Sequence, residues 1–119
     1  MINNFAKQQA ALLIGGSSVP TPTYFVIGSG SGTIMATQTT LFNEYDRQLM
    51  TSRDLSVGQQ VTFTGDWNSV EISGLTLTEF GVIGSAAPLV GSIWSVISLP
   101  GITFNGTQEL RIEEVHQIY

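Results

Sequence analysis

The sequence predicts a mainly β domain, an antiparallel β-sandwich or barrel-like fold with one N-terminal helix. Three observations carry that expectation. From Thr23 onward, β-branched and aromatic residues alternate with Thr, Ser and Gln in runs of strand length. Gly, Pro and Asn-Gly pairs separate those runs at short intervals. Ahead of them, residues 3–14 repeat apolar positions near helical spacing. We divide the chain into an N-terminal helix or arm at 1–16 and a single β-rich domain at 17–119.

The helix has Asn3 or Asn4 as its cap, Phe5, Gln9, Leu12 and Leu13 along its length, and Gly15-Gly16 as its stop. Ser17 to Pro22 reads as a linker. Thr23–Ile27 is the first strand, followed by a loop, Gly28-Ser29-Gly30-Ser31-Gly32. Thr39–Leu49 fits either a short helix or an extended segment, since Leu41, Tyr45 and Leu49 are spaced by four and Glu44 and Arg47 by three. Val61 and Phe63 alternate with threonines up to a turn at Gly65-Asp66, and Val70 and Ile72 alternate around Glu71. Leu75–Ile83 and Ile93–Leu99 read as strands. Pro100-Gly101 reads as a turn, Ile102–Phe104 as a short strand and Asn105-Gly106 as a tight turn. In the last strand, Leu110–Tyr119, Leu110 and Ile112 fall on one phase and Val115 on the other, which predicts a bulge near Glu113-Glu114.

Composition narrows the function. At 119 residues the chain can bury about two thirds of its unfolded surface. Its hydrophobic content is 42% and its charged content only 11%, which leaves little charge to keep copies apart and favours burial in an assembly. The net charge is −5, and the basic residues Lys7, Arg47, Arg53 and Arg111 stand singly. Neither a nucleic acid nor an anionic membrane surface is expected as a partner. Absence of cysteine removes thiolate zinc sites and cysteine nucleophiles. No basic region followed by an apolar core marks a secretory signal. The uncharged stretch from Phe80 to Gln108 is broken by glycines and prolines, so it reads as strands and turns instead of a membrane span.

Catalytic and cofactor chemistry finds no support. Gly28 to Gly32 has neither a following helix opener nor a phosphate-binding lysine, so we expect a flexible turn. His116 beside Glu113 and Glu114 reads as a solvated terminal strand without converging ligands, and no metal or cofactor is expected. Serines have no histidine partner in a suitable context. The carboxylate that stands out is Glu79. By alternation it shares a face with Leu75 and Leu77, where it needs a partner or a kink.

The order of short motifs resembles that of small tailed-bacteriophage virion structural proteins and the N-terminal module of the phage tail-collar fibre family. The matching pieces are the N-terminal helix, Phe25-Val26-Ile27-Gly28-Ser29-Gly30, Thr39-Thr40-Leu41, and Glu44 and Arg47 within residues 41–47. They continue with Leu77-Thr78-Glu79-Phe80-Gly81-Val82 and Gly91-Ser92-Ile93-Trp94. The resemblance implies a non-enzymatic protein located in the virion, docking on the tail, baseplate or fibre attachment. It also implies a symmetric homo-oligomer, a trimer or a ring, in contact with other virion proteins. Capsid decoration, turret or head-fibre roles remain open. So does a receptor- or glycan-binding module that uses Tyr24, Tyr45, Trp67 or Trp94 as stacking or interface surfaces; a small hydrolase is the third class. Because the same motifs single out Glu44, Arg47 and Glu79, we expect a structural ion pair with Arg47 as the partner of Glu79.

Overall fold

The computed structural model describes residues 4–16, 22–55, 58, 60–84 and 93–117. Its helix, α1, spans Asn4–Ile14. The strands are β1 (Tyr24–Gly28), β2 (Glu44–Leu49), β3 (Ser52–Asp54), β4 (Gln60–Trp67), β5 (Thr76–Ile83), β6 (Ile93–Thr103) and β7 (Leu110–Gln117). They form two antiparallel sheets in the orders β2-β1-β5-β6 and β3-β4-β7. The predicted class, mainly β and sandwich-like with an N-terminal helix, is the architecture seen.

Alternation explains the core. Phe25, Ile27 and Val82 from the four-stranded sheet meet Phe63, Trp67 and Ile112 from the three-stranded sheet, with Ile72, Leu75, Leu77 and Phe104 closing the ends. Trp67 is 1% exposed, sits edge-on to Phe25 with ring centroids 6.5 Å apart, and donates its Nε1–H to Asp46 Oδ2 at 3.1 Å. That bond joins β4 to β2 across the two sheets. Gly65 makes room for this packing, because a Cβ there would lie 2.5 Å from Phe25 Cδ2. This is why Gly65-Asp66 is part of a continuous β4 and not the expected turn.

The outer face of the four-stranded sheet is also covered. Val26, Ile83, Ile93 and Val96 form a second apolar cluster with Leu41, and Ile34 packs against it. Both of these last residues belong to the long connection between β1 and β2. Backbone bonds from Asn4 N to Ala36 O (2.7 Å) and from Ile93 N to Thr39 O (3.0 Å) fasten that connection to α1 and β6. α1 docks on β6 through an edge-on contact between Phe5 and Trp94, with centroids 5.9 Å apart.

Several local expectations change. Thr39–Leu49 resolves into an irregular stretch followed by strand β2, because the apolar faces of β1 need a pairing partner more than an isolated short helix needs its own turns. Val70 and Ile72 lie in a turn. Asn68 Oδ1 accepts the N–H groups of Val70 and Glu71, while Glu71 Oε1 accepts the N–H of Asn68, a reciprocal cap that outcompetes strand pairing. Pro100-Gly101 does not end β6. Residues 99–101 fall between Ser98, opposite Glu79, and Ile102, opposite Leu77, so they are an irregularity within one long strand. β7 pairs with β4 in unbroken register from Leu110↔Trp67 to Gln117↔Gln60, so the expected bulge at Glu113-Glu114 is absent. Glu114 therefore faces inward and Val115 outward.

Trp67 supplies the test of the shared core. Replacing it with Ala removes the largest fully buried side chain and should cost about 3–5 kcal/mol in urea unfolding followed by circular dichroism. A loss below about 1 kcal/mol would mean that the two sheets do not depend on a common core.

Candidate functional site

Glu79 marks the most elaborate polar cluster among the described residues. It is 2% exposed and lies in β5 opposite Gly28 of β1. Paired residues across strands share a face. The pairs Phe25↔Val82 and Ile27↔Phe80 point to the inter-sheet core, so Gly28↔Glu79 and Val26↔Gly81 point to the outer face. The register shift between Leu77 and Glu79 separates them: Leu77 packs in the inter-sheet core, and Glu79 does not share its face as alternation had predicted.

The carboxylate of Glu79 is held by backbone. Its Oε2 accepts the N–H groups of Gly30 and Asn43, each at 2.8 Å, and its Oε1 accepts that of Phe42, also at 2.8 Å. These donors come from both ends of the β1–β2 connection. Thr78 Oγ1 donates to Gly30 O at 2.6 Å, and Ser29 N donates to Asn43 O at 3.0 Å, closing the base of the loop. The Gly28–Gly32 segment, expected to be a flexible turn, is thus the wall of an anion cradle whose anion is the protein's own side chain. Glycine is required there on steric grounds. A Cβ on Gly28 would meet Asn43 O at 2.4 Å, and one on Gly30 would meet Asn43 N at 2.5 Å and Glu79 Oε2 at 2.6 Å.

Arg47 and Glu44 form the adjoining ion pair. Arg47 Nη2 lies 2.6 Å from Glu44 Oε1, and Nε donates to Oε2 at 3.0 Å, with both side chains at most 5% exposed. Residues three apart in a regular strand point to opposite faces. Here Val26 pairs with Arg47, Ile27 with Asp46 and Gly28 with Glu44, so the register shift passes over Tyr45. That bulge returns Glu44 to the face of Arg47. Glu44 and Glu79 flank Gly28 from opposite sides. The expected pairing of Arg47 with Glu79 is corrected accordingly: Arg47 takes Glu44, and Glu79 takes peptide N–H groups. Sequence reasoning missed Gly30, Phe42 and Asn43 because main-chain donors carry no side-chain signature.

The aromatic candidates scatter. Trp67 is core, Trp94 is half-buried under α1, and Tyr24 packs against the outer-face cluster. Tyr45 is 47% exposed, with its hydroxyl donating to Glu71 O at 3.1 Å. They form no common platform. An open groove of about 560 Å³ is lined by Asp66, Trp67, Asn68, Glu71, Glu109, Leu110 and Arg111. Two of its charged groups pair with each other, Arg111 Nε donating to Asp66 Oδ1 at 2.7 Å. Ser95 donates its hydroxyl to Glu114 Oε1 at 2.9 Å. Among the described residues no group of three or more His, Asp or Glu is placed to hold a metal ion, and no helix is long and apolar enough to cross a membrane.

Comparisons of the chain with protein-family models, with characterised proteins and with solved structures return no match.

The bonds from Arg111 and from the Thr51 hydroxyl (2.9 Å to Oδ2) hold the Asp66 carboxyl below the usual carboxylate range. A folded-state pKa below the unfolded one contributes stability above the unfolded value and loses it as pH falls through the folded value. The stability gap between wild type and Asp66→Asn should therefore narrow on acidification below about pH 4. A gap that widens there in urea titrations would contradict this assignment.

The cradle predicts an unusual cost for an isosteric change. Glu79→Gln must turn an amide N–H₂ toward at least one of the three peptide donors, and should lose about 2–3 kcal/mol in denaturant unfolding. Gly30→Ala should lose a similar amount through the clash with Asn43 and Glu79. Near-neutral outcomes for both would show that the carboxylate is not what holds the loop.

Proposed function

We propose that this chain is a non-enzymatic structural protein of a tailed-virus particle, a β-domain that associates with itself and docks on a larger assembly. The observation that carries this reading is the apolar surface it leaves uncovered. Leu12, Leu13 and Ile14 at the end of α1 are 47%, 58% and 86% exposed, in a chain with 11% charged residues. A helix end of that composition is better explained as a surface covered by another molecule than as one selected for solvation.

The motif resemblance supports the same reading. Gly28-Ser29-Gly30, the Leu41–Arg47 segment and Leu77–Val82 are distant in sequence yet meet around the Glu79 carboxylate. Three short motifs that build one buried cluster behave as a signature of fold, since every bond named there is internal. The same feature argues against acid–base catalysis by Glu79, whose two oxygens already accept three donors. A glycan-binding role has less behind it, because Tyr45 alone of the four aromatic candidates is exposed.

Tail, baseplate or fibre attachment is the preferred location, with capsid decoration as the alternative, and copy number per particle separates them. Hundreds of copies would indicate the capsid and a handful the tail. Light scattering of the purified chain should report a trimer or a ring. Leu13→Asp should shift that species toward monomer without altering the circular dichroism spectrum. A monodisperse monomer at high concentration that does not co-sediment with particles would overturn the proposal.

A further inference from the structure

The turn between β6 and β7 carries the chain's one Asn-Gly pair, Asn105-Gly106. Its base is fixed, because the buried Phe104 donates its N–H to Leu75 O and accepts that of Gly74, both at 2.9 Å. Asn105 itself is exposed. Its Oδ1 accepts the Thr107 N–H at 3.1 Å and the Thr107 hydroxyl at 2.6 Å. Its own N–H donates to Gln108 Oε1 at 3.0 Å. Gly106 has a φ of +93°, and a Cβ there would lie 3.0 Å from Ser73 Oγ. The turn therefore calls for glycine on two counts, its backbone conformation and the closeness of Ser73. It calls for asparagine too, whose side-chain oxygen serves as the acceptor for Thr107.

These same features favour a reaction of the turn with itself. The Gly106 nitrogen is tethered where it can close a ring on Asn105 Cγ, and glycine has no side chain to obstruct the approach. An amide under attack develops negative charge on its oxygen, and both Thr107 donors already point at that atom. We propose that Asn105 is a self-modification site, at which the folded turn converts the side-chain amide to a carboxylate through a succinimide. Gly106 N gives its proton to solvent and bonds to Cγ, while the Cγ–Nδ2 bond breaks and the nitrogen leaves as ammonia. Water then opens the ring on one side or the other of the Gly106 nitrogen. Cleavage at Cγ leaves aspartate in a normal chain. Cleavage at the main-chain carbonyl leaves isoaspartate, with the chain running through Cγ. Water is the one added reactant, and nothing is oxidised or reduced. Either product adds a negative charge to the turn, and isoaspartate also inserts a methylene into the backbone beside the anchored Phe104. Asn68 is the internal comparison. Its Oδ1 also accepts two N–H groups, but the next residue is Ser69, whose side chain hinders ring closure. This inference stands independently of the virion reading.

The test incubates the full chain at neutral and mildly alkaline pH, folded in buffer and unfolded in guanidinium chloride. Peptide mass spectrometry and enzymatic isoaspartate labelling follow each asparagine. In the folded chain Asn105 should be lost to aspartate and isoaspartate, faster as pH rises, while Asn43 and Asn68 keep their amides. Thr107→Ala, shown by circular dichroism to be folded, should slow the loss by about two- to tenfold, the worth of one hydrogen bond. An Asn105 amide that survives in the folded chain while the unfolded chain loses it would overturn the proposal. So would a Thr107→Ala chain that reacts as fast as wild type or faster, since Thr107 would then restrain the amide instead of activating it.

Discussion

The Glu79 carboxylate is the constraint around which one end of this protein is organised. A buried carboxylate deprived of donors costs several kcal/mol, and peptide N–H groups in an irregular loop cost a comparable amount if they are buried unpaired. Each problem answers the other. The N–H groups of Gly30, Phe42 and Asn43 lie outside the sheet ladders, and the carboxylate collects all three. Because these donors sit at both ends of the β1–β2 connection, one side chain closes the base of a long loop. The loop can then lie over Val26, Ile83 and Val96 and give the four-stranded sheet a second apolar face. The glycines at 28 and 30 follow from this arrangement, since the backbone must approach within van der Waals distance of the carboxylate.

Irregular register does as much as regular pairing. The shift passing over Tyr45 brings Glu44 to the side of Arg47 and allows a buried, two-bonded ion pair on a strand. The shift between Leu77 and Glu79 moves the carboxylate from the inter-sheet core to the outer face. Without these shifts, a period of two would place one of each set on the wrong side of the sheet. Bulges of this kind pin register because any slip would bury Arg47 or Glu79 among aliphatic side chains.

The polar groups that alignment of motifs singles out are thus spent inside the fold. Aliphatic side chains remain on the surface beside the exposed charges, as at Leu12, Leu13, Ile14, Leu49 and Val115. The strands β3 and β7 lie at the edges of one sheet and β2 and β6 at those of the other. Three of these edge strands carry charge, Glu44, Asp46 and Arg47 on β2, Arg53 and Asp54 on β3, and Arg111, Glu113 and Glu114 on β7, which discourages indiscriminate edge-to-edge pairing. On edge strand β7 the inward-facing Glu114 and His116 are likewise turned into the fold, Glu114 accepting from Ser95 of the other sheet and lying 3.5 Å from His116 Nε2.

The sequence by itself determined the class of fold, the position of α1 and most strands. Hydrophobic periodicity and glycine or asparagine punctuation are local signals that survive without knowledge of neighbours. It also marked Glu79, Glu44 and Arg47 as structurally important. It could not assign their partners. Those depend on which peptide groups the loop presents and on where the ladder slips, and neither leaves a mark on local alternation. The same limit explains Val70-Ile72, where an asparagine cap overrode a strand pattern, and Pro100-Gly101, where a strand absorbed a turn signal. At β7 the reverse occurred: apolar phase argued for a bulge, yet pairing with β4 kept the strand straight and buried Glu114 and His116. Local periodicity chose the elements, and only the assembled sheets, by setting register and supplying backbone donors, decided which side of each strand its charges would face.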